Sequence, residues 1–317
     1  MAESTPKVTV VIPTYNEREN LPKVVELLTG LGVPNLGIVV VDDNSPDGTG
    51  EVADGLAAAA PGTVGVLHRT EKDGLGRAYV AGMSRALAEG ADVVVQMDAD
   101  LSHPVEAVPV MLETLATTDA AVVLGSRYVD GGSVAGEWAW HRKALSAWAN
   151  FYVDTILRLG VKDATAGFKA WRADALRAID IASVRSNGYA FQVELNHRVV
   201  RLGMRIAEVP IRFEERTEGQ SKMSFAVQLE SAAMPWKLRF TKPGAGEPGA
   251  AEMAEPKNTP EVDGKAEPTG TAEPAAKAAP PDAPEGHGEA ERAGTAESAG
   301  RAAPSGVPEG AGRAEGQ

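Results

Sequence analysis

The chain has 317 residues, a formal net charge of −13 and no cysteine, so disulfides and thiolate chemistry play no part in it. Composition divides it near Lys242: all sixteen aromatic residues lie at or before Phe240, and residues 243–317 are dominated by Ala, Pro, Gly and Glu. That tail carries 14 acidic and 6 basic residues, which leaves −5 for residues 1–242 and no electrostatic case for nucleic-acid binding.

A stretch as poor in large apolar side chains as 243–317 cannot bury enough surface to offset its chain entropy. A disordered tail is therefore expected there, beyond a catalytic domain over residues 1–242, a length that suffices for one α/β core. The opening MAESTPK lacks the apolar run of a signal peptide, and no window approaches the roughly 18 consecutive apolar residues of a membrane span. The expected location is the cytoplasm, with any contact to lipid made from the surface.

In chain order, VTVVIP (8–13), IVVVDD (38–43), TVGVLH (63–68), VVVQMD (93–98) and AVVLGS (121–126) read as buried parallel strands. Helical patterns alternate with them at 19–28, 49–60, 76–89 and 103–114. This alternation predicts an α/β fold with a doubly wound, mostly parallel sheet flanked by helices. In such sheets ligands bind beyond the carboxyl ends of the strands, where PTYNE, DDNSPDGT, DADLSHP and GSRY sit. No GxGxxG or GxxxxGK follows a strand, which argues against dinucleotide and P-loop chemistry.

Asp98 and Asp100, two apart at a strand end, can face the same side and grip a hard divalent cation, Mg²⁺ or Mn²⁺. A solvated turn is the bland reading of DxD, and the placement after VVVQM and before a helix favours the metal. Asp42 and Asp43 end the second strand. Helix capping by Asp47 and binding of a base or ribose by Asp43 both fit that pattern. Pro13, Tyr15 and Glu17 would form the opposite wall, with Tyr15 covering a base and Glu17 accepting from an amino-bearing purine edge or acting as an ordinary first-turn acid.

Taken together, IPTYNERENLP, VDDNSPDGT, MDADLSHP, GSRY, RKALS and GYAFQVE resemble the family-2 glycosyltransferases, most closely those that make polyprenol-phosphate mannose, from about Lys7 to Phe240. The resemblance implies a GT-A type fold and inverting transfer of mannose from GDP-mannose to a polyprenyl phosphate. It implies that Pro13, Tyr15, Glu17, Val41 and Asp43 hold the nucleoside, and that Asp98, Ala99 and Asp100 hold metal and sugar diphosphate. Arg127, Arg142 with Ser146, and Arg216 with Lys222 match positions used for phosphates, a task that suits the arginine fork. The loop 215–222 is expected to close over bound substrate. Asp163, Gln192 and Glu194 fall where the family lines the sugar and acceptor pocket. Ser102 stands where some relatives carry a ligating Gln and is left outside the ligand set. A lone helical His is more often structural, so His103 and His197 receive no catalytic role.

A phosphate acceptor, with a second pKa of about 6, arrives already nucleophilic and needs no base. Trp138, Trp148 and neighbours beside Arg142 and Lys143, together with residues 223–240, suit helices lying in a lipid headgroup layer, with core packing as the rival explanation. Either those helices suffice for a peripheral position on the cytoplasmic face of the membrane, or a membrane-protein partner recruits the chain. Two other readings remain open at this point: UDP-glucose as donor to the same lipid, and a non-catalytic nucleotide-sugar-binding scaffold.

Overall fold

The structure, a computed structural model, describes residues 5–135, 140–214 and 225–240, the side chains of 140–143 and 225–232 excepted. The tail expected at 243–317, the loop 215–222 and Trp138 lie outside the described residues.

Five of the strands are where the apolar runs predict them: β1 (Val8–Thr14), β2 (Leu36–Asp42), β3 (Val64–His68), β4 (Val93–Gln96) and β5 (Ala120–Ser126). Between them run α1 (Leu21–Gly30), α2 (Thr49–Ala59), α3 (Leu75–Ala88) and α4 (Ala107–Thr117). After the two-residue β6 (Ser133–Val134) come α5 (Trp140–Leu157), β7 (Lys169–Arg172), α6 (Ala173–Ala178), α7 (Gly188–Arg201), β8 (Arg205–Pro210), β9 (Arg212–Phe213) and α8 (Phe225–Phe240).

The main sheet has the order β3-β2-β1-β4-β7-β5-β8, parallel throughout except for β7, which runs antiparallel to both β4 and β5. The expectation of a mostly parallel, doubly wound sheet holds. The central antiparallel strand KAWR carried no apolar run to announce it, because Lys169 and Arg172 break the pattern while both find polar partners inside. Two differences concern the acidic loop. β4 ends at Gln96 rather than at Asp98, and the helix expected from His103 starts at Ala107. Residues 98–106 are spent instead on a tight loop in which His103 Nδ1 accepts the N–H of Asp98 at 3.1 Å.

Alternation along β1 divides the core between the two faces of the sheet. Val10 and Ile12 face Leu21, Leu28, Val108 and Met111 on the side of α1 and α4. Val11 faces Tyr79, Met83 and Phe191 on the side of α3 and α7. β1 has β2 on one side and β4 on the other, so the chain first winds outward through β2 and β3 and then returns across β1 to continue through β4. The loops after β1 and β4 therefore diverge, and the crevice of a topological switch point opens between them.

The seat of α3 depends on glycine. A Cβ at Gly82 would lie 2.4 Å from Cγ1 of Val11 and 2.7 Å from Cγ2 of Val41, both on strands that cannot yield. Helix propensity alone would make Gly82→Ala stabilising by about 1 kcal/mol. Overpacking of this kind costs about 1–3 kcal/mol. The expected outcome is a net loss of stability for Gly82→Ala in urea titration; a gain would show that α3 does not lie so close to the sheet.

Candidate active site

The first two loops are laced to each other. Asn16 N donates to Ser45 Oγ at 3.2 Å, Glu17 N to Thr49 Oγ1 at 3.0 Å, and Arg18 N to Asp47 Oδ2 at 3.3 Å. Asn16 and Asn44 take the left-handed conformation these turns need, which asparagine tolerates better than most residues. Asp47 also accepts from Thr49 N at 3.0 Å and from Thr49 Oγ1 at 2.6 Å; the N-cap position of α2 is Gly48, so Asp47 braces the turn ahead of the helix instead of capping it.

The adjacent acids Asp42 and Asp43 divide their work. Asp42 accepts from Thr14 Oγ1 at 3.2 Å and from Ser45 Oγ at 2.6 Å, which makes it the anchor of the turn. Asp43 accepts from Arg69 Nη1 at 2.6 Å. Its burial raises the carboxyl pKa above the usual aspartate value, with Arg69 pulling the other way. Pro13 and Val41 are register partners at the buried ends of β1 and β2. Tyr15 is half-buried beside them, with the Lys72 ammonium 3.4 Å above its ring centroid, and Glu17 accepts from Asn20 Nδ2 at 2.9 Å. Of the five residues expected to hold a nucleoside, Tyr15, Glu17 and Asp43 lie in the adjoining loops after β1 and β2, whereas Pro13 and Val41 are buried, Val41 in the core against α3; Arg69 and Lys72 approach Asp43 and Tyr15 from the loop after β3. Those two cations were missed, although the loop after a third parallel strand must border the same crevice.

Asp98 is half-buried and Asp100 buried at 5% exposure, and both stand close enough to Tyr79 to affect it. Tyr79 donates its hydroxyl to Asp98 Oδ1 at 2.5 Å. Burial first, then the charge of Asp98, its hydrogen bond and the charge of Asp100, push the phenol pKa well above the usual value, so the hydroxyl keeps its proton. Asp100 Oδ1 accepts from Ser102 N at 3.1 Å and Ser102 Oγ at 2.5 Å. Ser102 therefore braces Asp100. Between them Leu101 is left-handed at φ 62°, a conformation that costs a branched apolar residue roughly 1–2 kcal/mol and is retained at this loop tip. Ala99 is buried between the two acids.

Gly167 lies alongside. A Cβ there would stand 3.6 Å from His103 Cε1, 3.7 Å from Gln192 Nε2 and 3.8 Å from Asp98 Oδ2, so its missing side chain leaves room where these three groups converge. Two hard carboxylates at a strand end, each with one oxygen fixed by a donor, fit Mg²⁺ or Mn²⁺, which take one or two protein carboxylates and complete their shell with phosphate oxygens and water. Among the described residues, no set of three His, Asp or Glu side chains gathers to hold an ion alone.

Arg127 and Asp163 form a single ion pair. The guanidinium donates from Nε to Asp163 Oδ2 at 2.8 Å and from Nη2 to Oδ1 at 2.7 Å, with Thr165 Oγ1 2.8 Å from the same Nη2. Asp163 is fully buried and the Arg127 side chain is 10% exposed. Burial alone would lower the arginine pKa, and Asp163 more than offsets it. Removing either partner would strand a buried charge at a cost of about 3–5 kcal/mol. Gln192 and Glu194 part company, since residues two apart on a helix point about 200° away from each other. Gln192 Oε1 accepts from Gln96 Nε2 at 2.9 Å on the sheet side, whereas Glu194 holds Arg198 at 2.6 Å and Ser186 Oγ at 2.5 Å. The structure sets the Gln192 amide and Asp98 around Gly167 and uses Glu194 as a clamp for the segment before α7. Ser146 accepts from the Tyr128 hydroxyl at 2.7 Å and ties α5 to the loop after β5. Arg142 lies on α5 with its side chain outside the described set, and Arg216 and Lys222 lie outside the described residues. His103 stacks on Phe168 with centroids 5.0 Å apart, a structural role, and His197 is buried in α7.

Fold and site together are those of a glycosyltransferase of the GT-A type. Residues 9–180 match the family described as glycosyl transferase family 2, and the chain belongs to that family. It is 51% identical over 225 residues to the undecaprenyl-phosphate mannosyltransferase of Micrococcus luteus, covering 71% of this chain and 90% of that one. It is 48% identical over 220 residues to the polyprenol monophosphomannose synthase of Mycolicibacterium smegmatis, covering 69% and 82%. Among solved structures it resembles glucosyl-3-phosphoglycerate synthase from Mycobacterium tuberculosis, in complex with Mn²⁺, UDP and phosphoglyceric acid. The TM-score is 0.57 at 20% identity, over 75% of this chain and 80% of that one, a likeness of fold.

Beneath the site lies a fully buried amine. Lys169 Nζ donates to Gln192 O at 3.1 Å and Asn196 Oδ1 at 2.9 Å. Burial brings its pKa down to about 7, with Asp163 opposing the shift. Between about 7 and the usual lysine value of about 10.4, the unfolded chain holds a proton that the folded chain has released, so stability from this group rises with pH across that window and is lost as pH falls. The stability of the wild type relative to Lys169→Met, measured by urea denaturation, is expected to grow between pH 7 and 10, with a limiting slope of about 1.4 kcal/mol per pH unit. A difference independent of pH would show the amine to be charged throughout.

Proposed function

We propose that the chain transfers mannose, with inversion, from GDP-mannose to a polyprenyl phosphate, at the membrane surface on the cytoplasmic face and with Mg²⁺ or Mn²⁺. The observation that carries this reading is the pair of relatives at 51% and 48% identity, named for mannose transfer to undecaprenyl phosphate and for polyprenol monophosphomannose synthesis. The crevice supports it chemically. Tyr15 offers a ring for a base, Asp43 a carboxylate for a ribose, and Glu17 an acceptor for a purine amino group.

The cation that Asp98 and Asp100 would hold neutralises charge on the departing diphosphate. Arg127 spends Nε and Nη2 on Asp163 and Thr165 and would offer its remaining Nη1 at the end of β5, where with Arg142 and Ser146, and with Arg216 and Lys222, it would draw together two phosphates that otherwise repel. The acceptor phosphate is largely dianionic at neutral pH, so its oxygen attacks the anomeric carbon without any side chain taking a proton. The protein's contribution is orientation and charge compensation.

A surface for lipid stands on α5 and α8. Trp236 Nε1 donates to Tyr152 OH at 2.9 Å and Arg239 to Ile156 O at 2.5 Å, so the two helices form one platform. Leu145, Trp148, Phe151, Trp236 and Phe240 are all exposed on it, with Phe151 at 70% and Phe240 at 74%. Arg158, Lys237 and Arg239 supply cations at its margin. No helix among the described residues is long and apolar enough to cross a membrane.

Incubation with radiolabelled GDP-mannose, Mn²⁺ and a short polyprenyl phosphate is expected to give labelled lipid, with none from UDP-glucose. Asp100→Ala should lower the rate by more than about 100-fold. Label arriving from UDP-glucose alone would overturn the donor, and unchanged turnover in Asp100→Ala would overturn the metal. Each exposed aromatic that enters an apolar layer contributes about 1.5–3 kcal/mol. The triple variant Trp148→Ala, Phe151→Ala, Phe240→Ala is therefore expected to lose flotation with anionic liposomes while keeping its fold, and flotation equal to wild type would rule out the platform.

A further inference from the structure

Tyr79 is a feature of the site that no motif announces. It lies in the middle of α3 at 0% exposure, in a position that helical periodicity would assign to the core. A buried phenol hydroxyl seeks a partner, and backbone carbonyls are the common choice. Here the partner is the carboxylate of Asp98, 2.5 Å away across the sheet's edge. Tyr79 reaches it because α3 is seated unusually close. Gly76, Tyr79 and Gly82 are three residues apart and so share one face of the helix. A Cβ at Gly76 would stand 2.4 Å from Ser186 O, and one at Gly82 would stand 2.4 Å from Val11 Cγ1. The ring itself is held from the other side by Phe191, stacked at 5.9 Å between centroids and 5° between planes.

We propose that Tyr79 is a positioning residue for the cation: its hydroxyl, by donating to Oδ1 of Asp98, fixes the carboxylate so that Oδ2, on the side of Gly167, is the oxygen presented to the ion. A carboxylate on a single Cβ turns freely about its terminal bond, and a ligand that must be ordered on binding holds metal less tightly than one already ordered. Donors behind a ligating carboxylate contribute about 10- to 100-fold in metal affinity. The second acid has its brace within the same loop, in the backbone N–H and hydroxyl of Ser102. Asp98 takes its brace from a different α/β unit, the hydroxyl of Tyr79 on α3.

This inference rests on the reading of Asp98 and Asp100 as cation ligands, and the experiment separates the two. Mn²⁺ binding to the full chain is measured by electron paramagnetic resonance of free Mn²⁺, in the presence of GDP. Tyr79→Phe keeps the ring and its stacking on Phe191 and deletes only the hydroxyl. It is expected to weaken Mn²⁺ binding by about 10- to 100-fold with an unchanged thermal midpoint. Phe191→Leu, which loosens the ring but keeps the hydroxyl, should lower the midpoint and leave Mn²⁺ affinity within about threefold. In an Asp98→Ala background the hydroxyl deletion should have no further effect on Mn²⁺ binding. Wild-type affinity in Tyr79→Phe overturns the role of Tyr79 while leaving the metal site standing. A wild type that binds no Mn²⁺ with GDP present removes the metal reading and this inference with it. A further loss in the Asp98→Ala background would mean that Tyr79 acts on some other group, and that too overturns it.

Discussion

The arrangement rests on the position of β1 between β2 and β4. Parallel strands deliver all their carboxyl ends to one edge, and the reversal of winding at β1 makes the loops after β1 and β4 diverge instead of covering each other. The acids Asp43 and Asp98 are placed by that edge. Pro13, Val41, Asp43 and Asp98 are within two residues of strand ends that are themselves buried, so the polar groups sit on a rigid base.

Rigidity at this edge is provided by hydrogen bonds that span separate units of the fold. The loops after β1 and β2 are joined by side chain to backbone bonds, Asp43 is held by Arg69 from the loop after β3, and Asp98 is held by Tyr79 from α3. On the far side the buried pair of Arg127 and Asp163 fixes the end of β5 to the chain that precedes β7. Such a pair is weak evidence for stability, because desolvation cancels most of the attraction. Its effect is orientation. A guanidinium clamped through two nitrogens is held in one pose at the end of β5.

The antiparallel β7 has a consequence for the chemistry above it. It inserts Lys169 into the middle of the sheet, where the amine ties the Gln192 carbonyl and Asn196 on α7 to the base of the site. A lysine with a pKa of about 7 satisfies both acceptors with its two neutral N–H donors, so the sheet need not carry a full buried charge at neutral pH. Glu194, two residues further along α7, turns away to Arg198 and Ser186 and secures the entry of the same helix.

The sequence by itself determined the parallel strands, the helices between them and the place of the acidic loops at the strand ends. Buried strands need unbroken apolar runs, and a hard cation and phosphates need carboxylates and arginines at strand ends. Those are local demands, written at fixed spacing in VVVQMDAD and AVVLGSR. Tertiary structure alone decided that KAWR is a central strand, that Arg127 and Asp163 are partners 36 residues apart, that Gln192 turns to Gln96 in the sheet while Glu194 turns to Arg198, and that Tyr79 belongs to the acidic loop. Each of these depends on which faces meet when layers pack. No spacing along the chain encodes such a meeting, because a buried tyrosine in a helix obeys the same period whether it touches a leucine or a carboxylate.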